Sequence, residues 1–305
     1  MRSRCVPDRS HTKNNSFHAT SLARVGRQLV IMRILVFGGF GFIGRHIVDN
    51  LLRAGHDVTA PTRASCDLCR VPAHVLKGIL SKAELVVNVV GIKRATHVQS
   101  WEAAHVVSVQ RLLSEMNERK VTKLIHITVA GLNGRHTDSY SLTKLKSEEE
   151  IHSSAAAFPL HAFILRPGVV WGRGDDFSRN LAGGILHAPF FPTPSPSGTL
   201  AVVHVHDVAA AVVAAVDALR GSPPDHSEVH VKDVVGPTAY SLAQLQQITA
   251  AALGLSCFAL PVPAALMVPA AAIVERVMSD PPITTAQLGL LRRGVTGARA
   301  PSHEG

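Results

Sequence analysis

The stretch Met32-Arg-Ile-Leu-Val-Phe-Gly-Gly-Phe-Gly-Phe-Ile-Gly44 limits what this chain can fold into more than any other. A short apolar strand runs straight into Gly38, Gly41 and Gly44, and then into a helix. Gly38 permits a sharp turn. Gly41 lacks the Cβ that would hold a pyrophosphate off the backbone, and Gly44 lets the new helix pack close to the strand. The amides and dipole at that helix N-terminus, beside Phe42 and Ile43, suit a dinucleotide diphosphate. A glycine triplet alone occurs by chance in loops. The strand before it and the helix after it give this one its meaning.

The helix carries Ile47, Leu51 and Leu52 at helical spacing and stops at Gly55, after which Asp57 to Thr62 reads as a second strand. Folds that prefer NAD place an acid at this strand's end for the ribose hydroxyl. Here the chain continues into Arg63, a cation suited to a 2′-phosphate, with Arg45 adding charge nearby. NADP(H) is therefore favoured over NAD(H), against the plainer reading of a solvated arginine. Glu84 to Gly91 is a continuous apolar run ending in glycine, as expected of a strand buried on both faces. A helical stretch from Trp101 to Arg119 leads to another such strand, Lys123 to Thr128. This alternation predicts an α/β fold, a doubly wound parallel sheet of Rossmann type, with a smaller C-terminal α/β lobe for substrate or docking. The expected division is a tail over 1–31, a dinucleotide-binding domain over 32–175 joined by strands and a helix near 200–219, the lobe over 176–298, and a loose end over 299–305.

The residues with chemistry follow the fourth strand. Thr128 stands at its end, and after a loop Tyr140-Ser-Leu-Thr-Lys144 opens a helix. Tyr140 and Lys144 are one turn apart and share a face. An ammonium near a phenol favours the phenolate, so Tyr140 is a candidate general acid or base, and the Thr128 hydroxyl a candidate for holding a substrate oxygen. Spacing alone would leave a surface tyrosine beside a lysine. Placement at the carboxyl edge of a parallel sheet, where ligands of such folds bind, makes it a site position.

Composition excludes several alternatives. With 305 residues, 46% of them hydrophobic, the chain can bury a large core. Its net charge of +9 is concentrated in the tail, where Arg2, Arg4, Arg9, Lys13, Arg24 and Arg27 face only Asp8. No basic face interleaved with aromatics remains, so nucleic acid is not an expected partner. That basic, aperiodic tail reads as an upstream extension or a targeting segment, since Met32 would itself serve as a start. Four cysteines do not frame a disulfide scaffold, and no apolar signal core precedes the fold. Cytoplasm or an organellar matrix is expected, not secretion. Cys66-Asp-Leu-Cys69 lacks the second half of a zinc set. His204 and His206, alternating on an expected strand from Leu200 to Val205, read as packing, so no metal is predicted.

Further on, His161 to Leu165 reads as a strand ending in Arg166-Pro-Gly168. The prolines and glycines from Phe190 to Gly198 read as a loop able to cover a substrate. Asp207 is a candidate cap for an alanine-rich helix reaching Leu219. Glu228 to Val235 reads as a strand, and Ser241 as the cap of a helix to Leu253. The uncharged run Cys257 to Val274, interrupted by three prolines, is expected to be a buried or partner-facing helix; an interfacial one is the alternative. Pro281-Pro282 precedes a threonine-capped last helix.

With these residues quoted, the chain from about Met32 to Arg293 resembles the extended or atypical short-chain dehydrogenase/reductase superfamily, of the NAD-dependent epimerase/dehydratase kind. The glycine loop, Asn88-Val-Val-Gly91, Tyr140-x-x-x-Lys144 and Arg166-Pro-Gly168 carry the resemblance. Val203-His-Val-His-Asp-Val-Ala209 and the proline-rich ending are similar to the subgroup that includes the NAD(P)H-binding accessory subunit of respiratory complex I. The resemblance implies that Gly38, Gly41, Phe42, Ile43 and Gly44 hold the diphosphate, Arg63, Asp67 and Leu68 the adenosine, and Val90 and Gly91 the ribose. It further implies that Lys144 binds the nicotinamide ribose and orients Tyr140, while Pro167 and Gly168 line the nicotinamide. Two departures stand out: threonine at 128 where the family often has serine, and only three residues between Arg63 and Asp67, too few for the usual third strand. Two functions are implied. One is an NAD(P)-dependent oxidoreductase or epimerase/dehydratase acting on a carbonyl or secondary alcohol, a nucleotide-sugar among the options. The other is a non-catalytic NADPH holder whose C-terminal helices dock on a membrane complex, peripheral to an inner membrane.

Overall fold

The computed structural model describes residues 31–92, 94–96, 98–132, 138–188, 190–223, 226–278 and 283–297. The expectations for the tail at 1–30, for Pro281-Pro282 and for the end at 299–305 lie outside these residues. Apolar residues and the absence of a turn former make β1 (Arg33–Phe37), and the glycine turn then starts α1 (Phe42–Arg53). There follow β2 (Asp57–Thr59), α2 (Ala73–Leu80), β3 (Leu85–Asn88), a π-helical turn (Ala103–Val107) running into α3 (Ser108–Arg119), and β4 (Lys123–Ile127). The chain continues through α4 (Ser139–Ala157), β5 (His161–Pro167), β6 (Val169–Trp171), α5 (Asp176–His187), β7 (Phe190–Ser195) and β8 (Thr199–His204). Last come α6 (Val205–Leu219), β9 (Glu228–Val234), β10 (Ala239–Ser241), α7 (Leu242–Ala252), β11 (Phe258–Pro263), α8 (Ala264–Val277) and α9 (Thr285–Arg293).

Six strands form one parallel sheet in the order β2-β1-β3-β4-β5-β9. Strand order reverses between β1 and β3, which opens a crevice at their carboxyl ends. Alternation sends Leu35, Phe37, Val86, Leu124 and Ile164 to one face, against Leu76 of α2, Leu112 of α3 and Ile151 of α4. Ile34, Val36, Val87, Ile125 and Leu165 meet Ile47 and Leu51 of α1 and Val208 and Val212 of α6 on the other. Both faces being covered explains why these strands read as unbroken apolar runs. A third cluster, around Leu181, Leu200, Leu245, Leu288 and Leu291, belongs to the later part of the chain. There β10-β8-β6 form a second sheet, and β11-β7 a parallel pair.

Several local expectations need correction. The second strand ends at Thr59, and β2 is the sheet's edge: the residues after it form turns, as the short Arg63-to-Asp67 spacing demands. The Phe190 to Gly198 stretch is not simply a loop, because Phe190–Ser195 pairs in register with Phe258–Pro263. That pairing also divides the Cys257 to Val274 run into a strand and the start of α8. Among the described residues no helix is long and apolar enough to cross a membrane. His206 lies in α6, not on a strand. It stacks on His204 at 5.0 Å because His204, and not Asp207, caps that helix. Glu228–Val234 returns to the main sheet beside β5, a placement its sequence did not reveal.

Candidate active site

The glycine turn is built from close approaches that side chains would block. A Cβ on Gly44 would sit 2.0 Å from the Gly38 carbonyl oxygen, and Gly38 itself has φ +80°. Gly41 differs: a Cβ there would meet only the Gly38 oxygen, at 3.3 Å, so the missing side chain opens space outward. Gly41 caps α1 without a side-chain acceptor, and its own N–H is held by Gly38. The first amides of α1, at Phe42, Ile43 and Gly44, have no helical acceptor and face that space. This donor set fits a diphosphate.

The other nucleotide-side residues are spread along the crevice. Arg45 donates to the Arg173 carbonyl at 2.9 Å and lies over the Phe42 ring. Arg63, beyond the end of β2, pairs with Asp67 at 3.5 Å and donates to Gln99. The Leu68 side chain is in the core and its carbonyl accepts from Arg111, so a ligand there would meet backbone. The Val90 N–H is held by Asn88 Oδ1, and a Cβ on Gly91 would lie 3.2 Å from Lys144 Nζ.

Helix α4 presents Tyr140, Lys144 and Glu148 at successive turns. Asp138 caps it through the Ser141 N–H at 2.9 Å. Lys144 Nζ donates to the Ile127 carbonyl at 3.3 Å, and burial pulls its ammonium down to about 8 against the opposing pull of Glu148. The Tyr140 phenol is pushed up to about 12, by desolvation first and by the Asp138 charge second. The protein's own groups thus hold the Tyr140 phenol protonated, against the phenolate that a neighbouring ammonium alone would favour. Trp101 and His105 pack edge-on to its ring.

Residues that the sequence reading missed complete the site. Glu148, nearly fully buried, forms an ion pair with Arg166 and accepts the Thr128 hydroxyl at 2.6 Å. That hydroxyl's one proton is thus committed to Glu148, and only its lone pairs remain for a ligand. The i, i+4, i+8 stripe from Tyr140 to Glu148 was a usable signal. His105 Nε2 accepts from the Ile92 N–H at 3.2 Å, and its Nδ1 lies 2.9 Å from Thr143 Oγ1. Because Thr143 donates to the Tyr140 carbonyl, Nδ1 carries the hydrogen and the ring is neutral. Burial, then the Lys144 charge, pulls His105 down to about 2. His126 is pulled to about 3 by the same causes in the same order. Neither histidine has a spacing that marks it in sequence.

A cavity of about 470 Å³ runs from this edge into the C-terminal elements. Phe42, Ile43, Thr128, Tyr140, Pro167 and Gly168 meet at one end. Lys144 and Gly91, which lie against each other, are not among its described lining residues, and neither are Arg63, Asp67 and Leu68, beyond the end of β2. Gly168 is required at its place in the wall, since a Cβ would be 2.1 Å from the Ala201 oxygen. The sequence profile of the NAD dependent epimerase/dehydratase family matches residues 34–231, which span this whole arrangement up to β9. The chain belongs to that family.

Relatives of this chain include mitochondrial NADH dehydrogenase subunits and reductases. It is 27% identical over 233 residues to the mitochondrial NADH dehydrogenase [ubiquinone] 1 alpha subcomplex subunit 9 of Arabidopsis thaliana. That match covers 70% of this chain and 56% of the relative, so the chain spans little more than half of it. It is 22% identical to the ceramide reductase of Caulobacter vibrioides, over 59% of this chain and 60% of that one. Among solved structures, the Thermus thermophilus UDP-glucose 4-epimerase complex with NAD superposes with a TM-score of 0.60 at 20% identity, covering 76% of this chain and 86% of that one. The fold is thus that of Rossmann-type epimerases, and the family and its solved relatives bind NAD(P) dinucleotides.

Proposed function

We propose that this chain is an NAD(P)-dependent oxidoreductase that interconverts a carbonyl and a secondary alcohol. The observation that carries the reading is the meeting of Tyr140, Thr128, Pro167 and Gly168 with the Phe42-Ile43 helix start on one cavity wall. When bound, a nicotinamide dinucleotide supplies or accepts the hydride. The first amides of α1 hold its diphosphate, Lys144 and Gly91 its nicotinamide-side ribose, and Pro167 and Gly168 flank the ring. Tyr140 gives its proton to the carbonyl oxygen in reduction. In the reverse direction the Tyr140 phenolate takes the alcohol's proton, while Thr128, its own proton committed to Glu148, offers the substrate only lone pairs. Arg63 supports NADP(H) over NAD(H), since it is a cation beyond the end of β2 and the preceding Thr59 to Thr62 stretch offers no acid, although Asp67 already pairs with it. The ceramide reductase relative is consistent with reduction.

Native mass spectrometry of the purified protein should find NADP(H) in preference to NAD(H). Tyr140→Phe should keep that nucleotide and lose turnover by about 10²–10⁴-fold on whatever carbonyl compound the wild type reduces. Equal rates for the two proteins would overturn the catalytic assignment.

A second reading, nucleotide binding without turnover and docking on a membrane complex, is favoured by one observation. Leu260 of β11 and Leu266, Ile273 and Val277 of α8 are exposed apolar side chains. The complex I relative points the same way. Serine at Leu266, Ile273 and Val277 together should release the protein from a membrane fraction if docking is its role, and change nothing if it is not.

A further inference from the structure

The cavity beyond Tyr140 has a chemistry of its own. From Thr128 and Tyr140 it extends past Phe177 and Leu181 of α5 and Phe191 of β7 to Met267 of α8 and Leu290 of α9. Besides Thr128 and Tyr140, its polar lining residues are Asp175, Asp176, Asn180 and Gln287, each with a partner within the protein. Asp175 takes the Gly172 and Ser178 N–H groups and the Ser178 hydroxyl, Asp176 pairs with Arg179, and Gln287 closes the capping box of α9. No lysine or arginine is among the described residues that line it, and the two charged side chains that do are carboxylates. A nucleotide-sugar brings a diphosphate, which needs cations or free amides at this end and would meet aspartates and leucines. An aliphatic chain needs only apolar wall, which the part of the cavity beyond the cofactor end, from Phe177 and Leu181 to Met267 and Leu290, supplies.

We infer that the substrate is a ketone or secondary alcohol borne on an aliphatic chain, with the reacting oxygen at Tyr140 and the chain directed between α5 and the α8–α9 pair. The inference rests on the oxidoreductase reading for the position of the oxygen. In reduction the carbonyl carbon gains a hydride from the dihydronicotinamide, which becomes the oxidised nicotinamide. The C=O π pair moves onto oxygen, that oxygen takes the Tyr140 proton, and the phenolate recovers a proton from water.

Binding tests this without turnover. Straight-chain methyl ketones from hexyl to dodecyl are titrated into the full chain as purified, by calorimetry, with UDP-glucose as the competing ligand. Affinity should rise about fourfold per methylene, from roughly 0.8 kcal/mol for each buried CH₂, until the cavity is filled. UDP-glucose should neither bind this site nor displace a ketone. Ala286→Trp, which fills the wall near Leu290, should end the rise at a shorter chain. Met267→Gln, of similar bulk, should weaken the longer ketones. Leu266→Ser, on a residue 66% exposed beside Met267, should change nothing. Affinity that does not depend on chain length, a rise that survives both cavity variants, or displacement by UDP-glucose would overturn the inference. Chain-length-dependent binding without any hydride transfer would uphold the ligand class and sink the oxidoreductase reading instead.

Discussion

Mild acid should destabilise this protein through two histidines before its carboxylates titrate. His105 and His126 are held neutral beside Lys144, at about 2 and about 3, by burial first and the lysine charge second. In the unfolded chain each takes up a proton near pH ~6.5. Folded pKa values lie below unfolded ones, so between those limits the unfolded chain binds more protons and stability falls as pH falls. With each unfolded imidazole half protonated at the start and a limiting slope of about 1.4 kcal/mol per pH unit, going from about pH 6.5 to about pH 4.5 removes about 2 kcal/mol for one histidine and roughly 4–5 for both. That is a large part of the ~5–15 kcal/mol typical of a folded domain. Urea unfolding followed by circular dichroism across this range reads the slope directly. His46 and His56 are displaced in the same direction, so the decisive comparison is His126→Gln. Its amide can still donate to Ser147, the partner of His126 Nε2 at 3.2 Å, while nothing there can titrate. Whatever the substitution costs at neutral pH, it should remove about half of the pair's acid slope. A wild type whose stability is flat from pH ~6.5 to ~4.5, or a variant with an unchanged slope, would refute the reasoning.

Gly44→Ala drives a methyl to 2.0 Å from the Gly38 oxygen, and the turn must open; nucleotide should no longer co-purify, as mass spectrometry would show. Glu148→Gln removes the buried charge that faces Arg166. It should cost about 3 kcal/mol in chemical denaturation. The same change should move Lys144 below about 8, because Glu148 is what opposes its desolvation. Arg63→Ala should weaken NADPH and leave NADH nearly unchanged, which fluorescence titration of the two cofactors would separate; equal losses would remove Arg63 from the 2′-phosphate role.

The parts of this fold written in local sequence were readable. The glycine turn, the buried strands, and the caps at Ser241 and Thr284 need only near neighbours, and each lies where its residues place it. The β7–β11 pair was not readable, because Pro192 and Pro194 present themselves as breakers. Their partners, Leu260 and Val262, are far along the chain. The return of β9 to the main sheet fails for the same reason, its register being set by β5 and not by its own half-exposed pattern. Among the candidate site residues, Tyr140 and Lys144 were picked out by spacing and by position at the sheet's carboxyl edge. The ion pair that occupies the Thr128 proton required Arg166, brought in from the next strand, and the apolar character of the cavity required α5, β7, α8 and α9, among others, to converge.

Between Pro167, the last residue of β5, and Val169, the first of β6, there is only Gly168. The ribbon that carries Pro167 to the cavity wall therefore passes directly from the large sheet into the small one. Any change of angle between the two sheets along this ribbon must be absorbed at Gly168, where a Cβ would meet the Ala201 carbonyl oxygen at 2.1 Å.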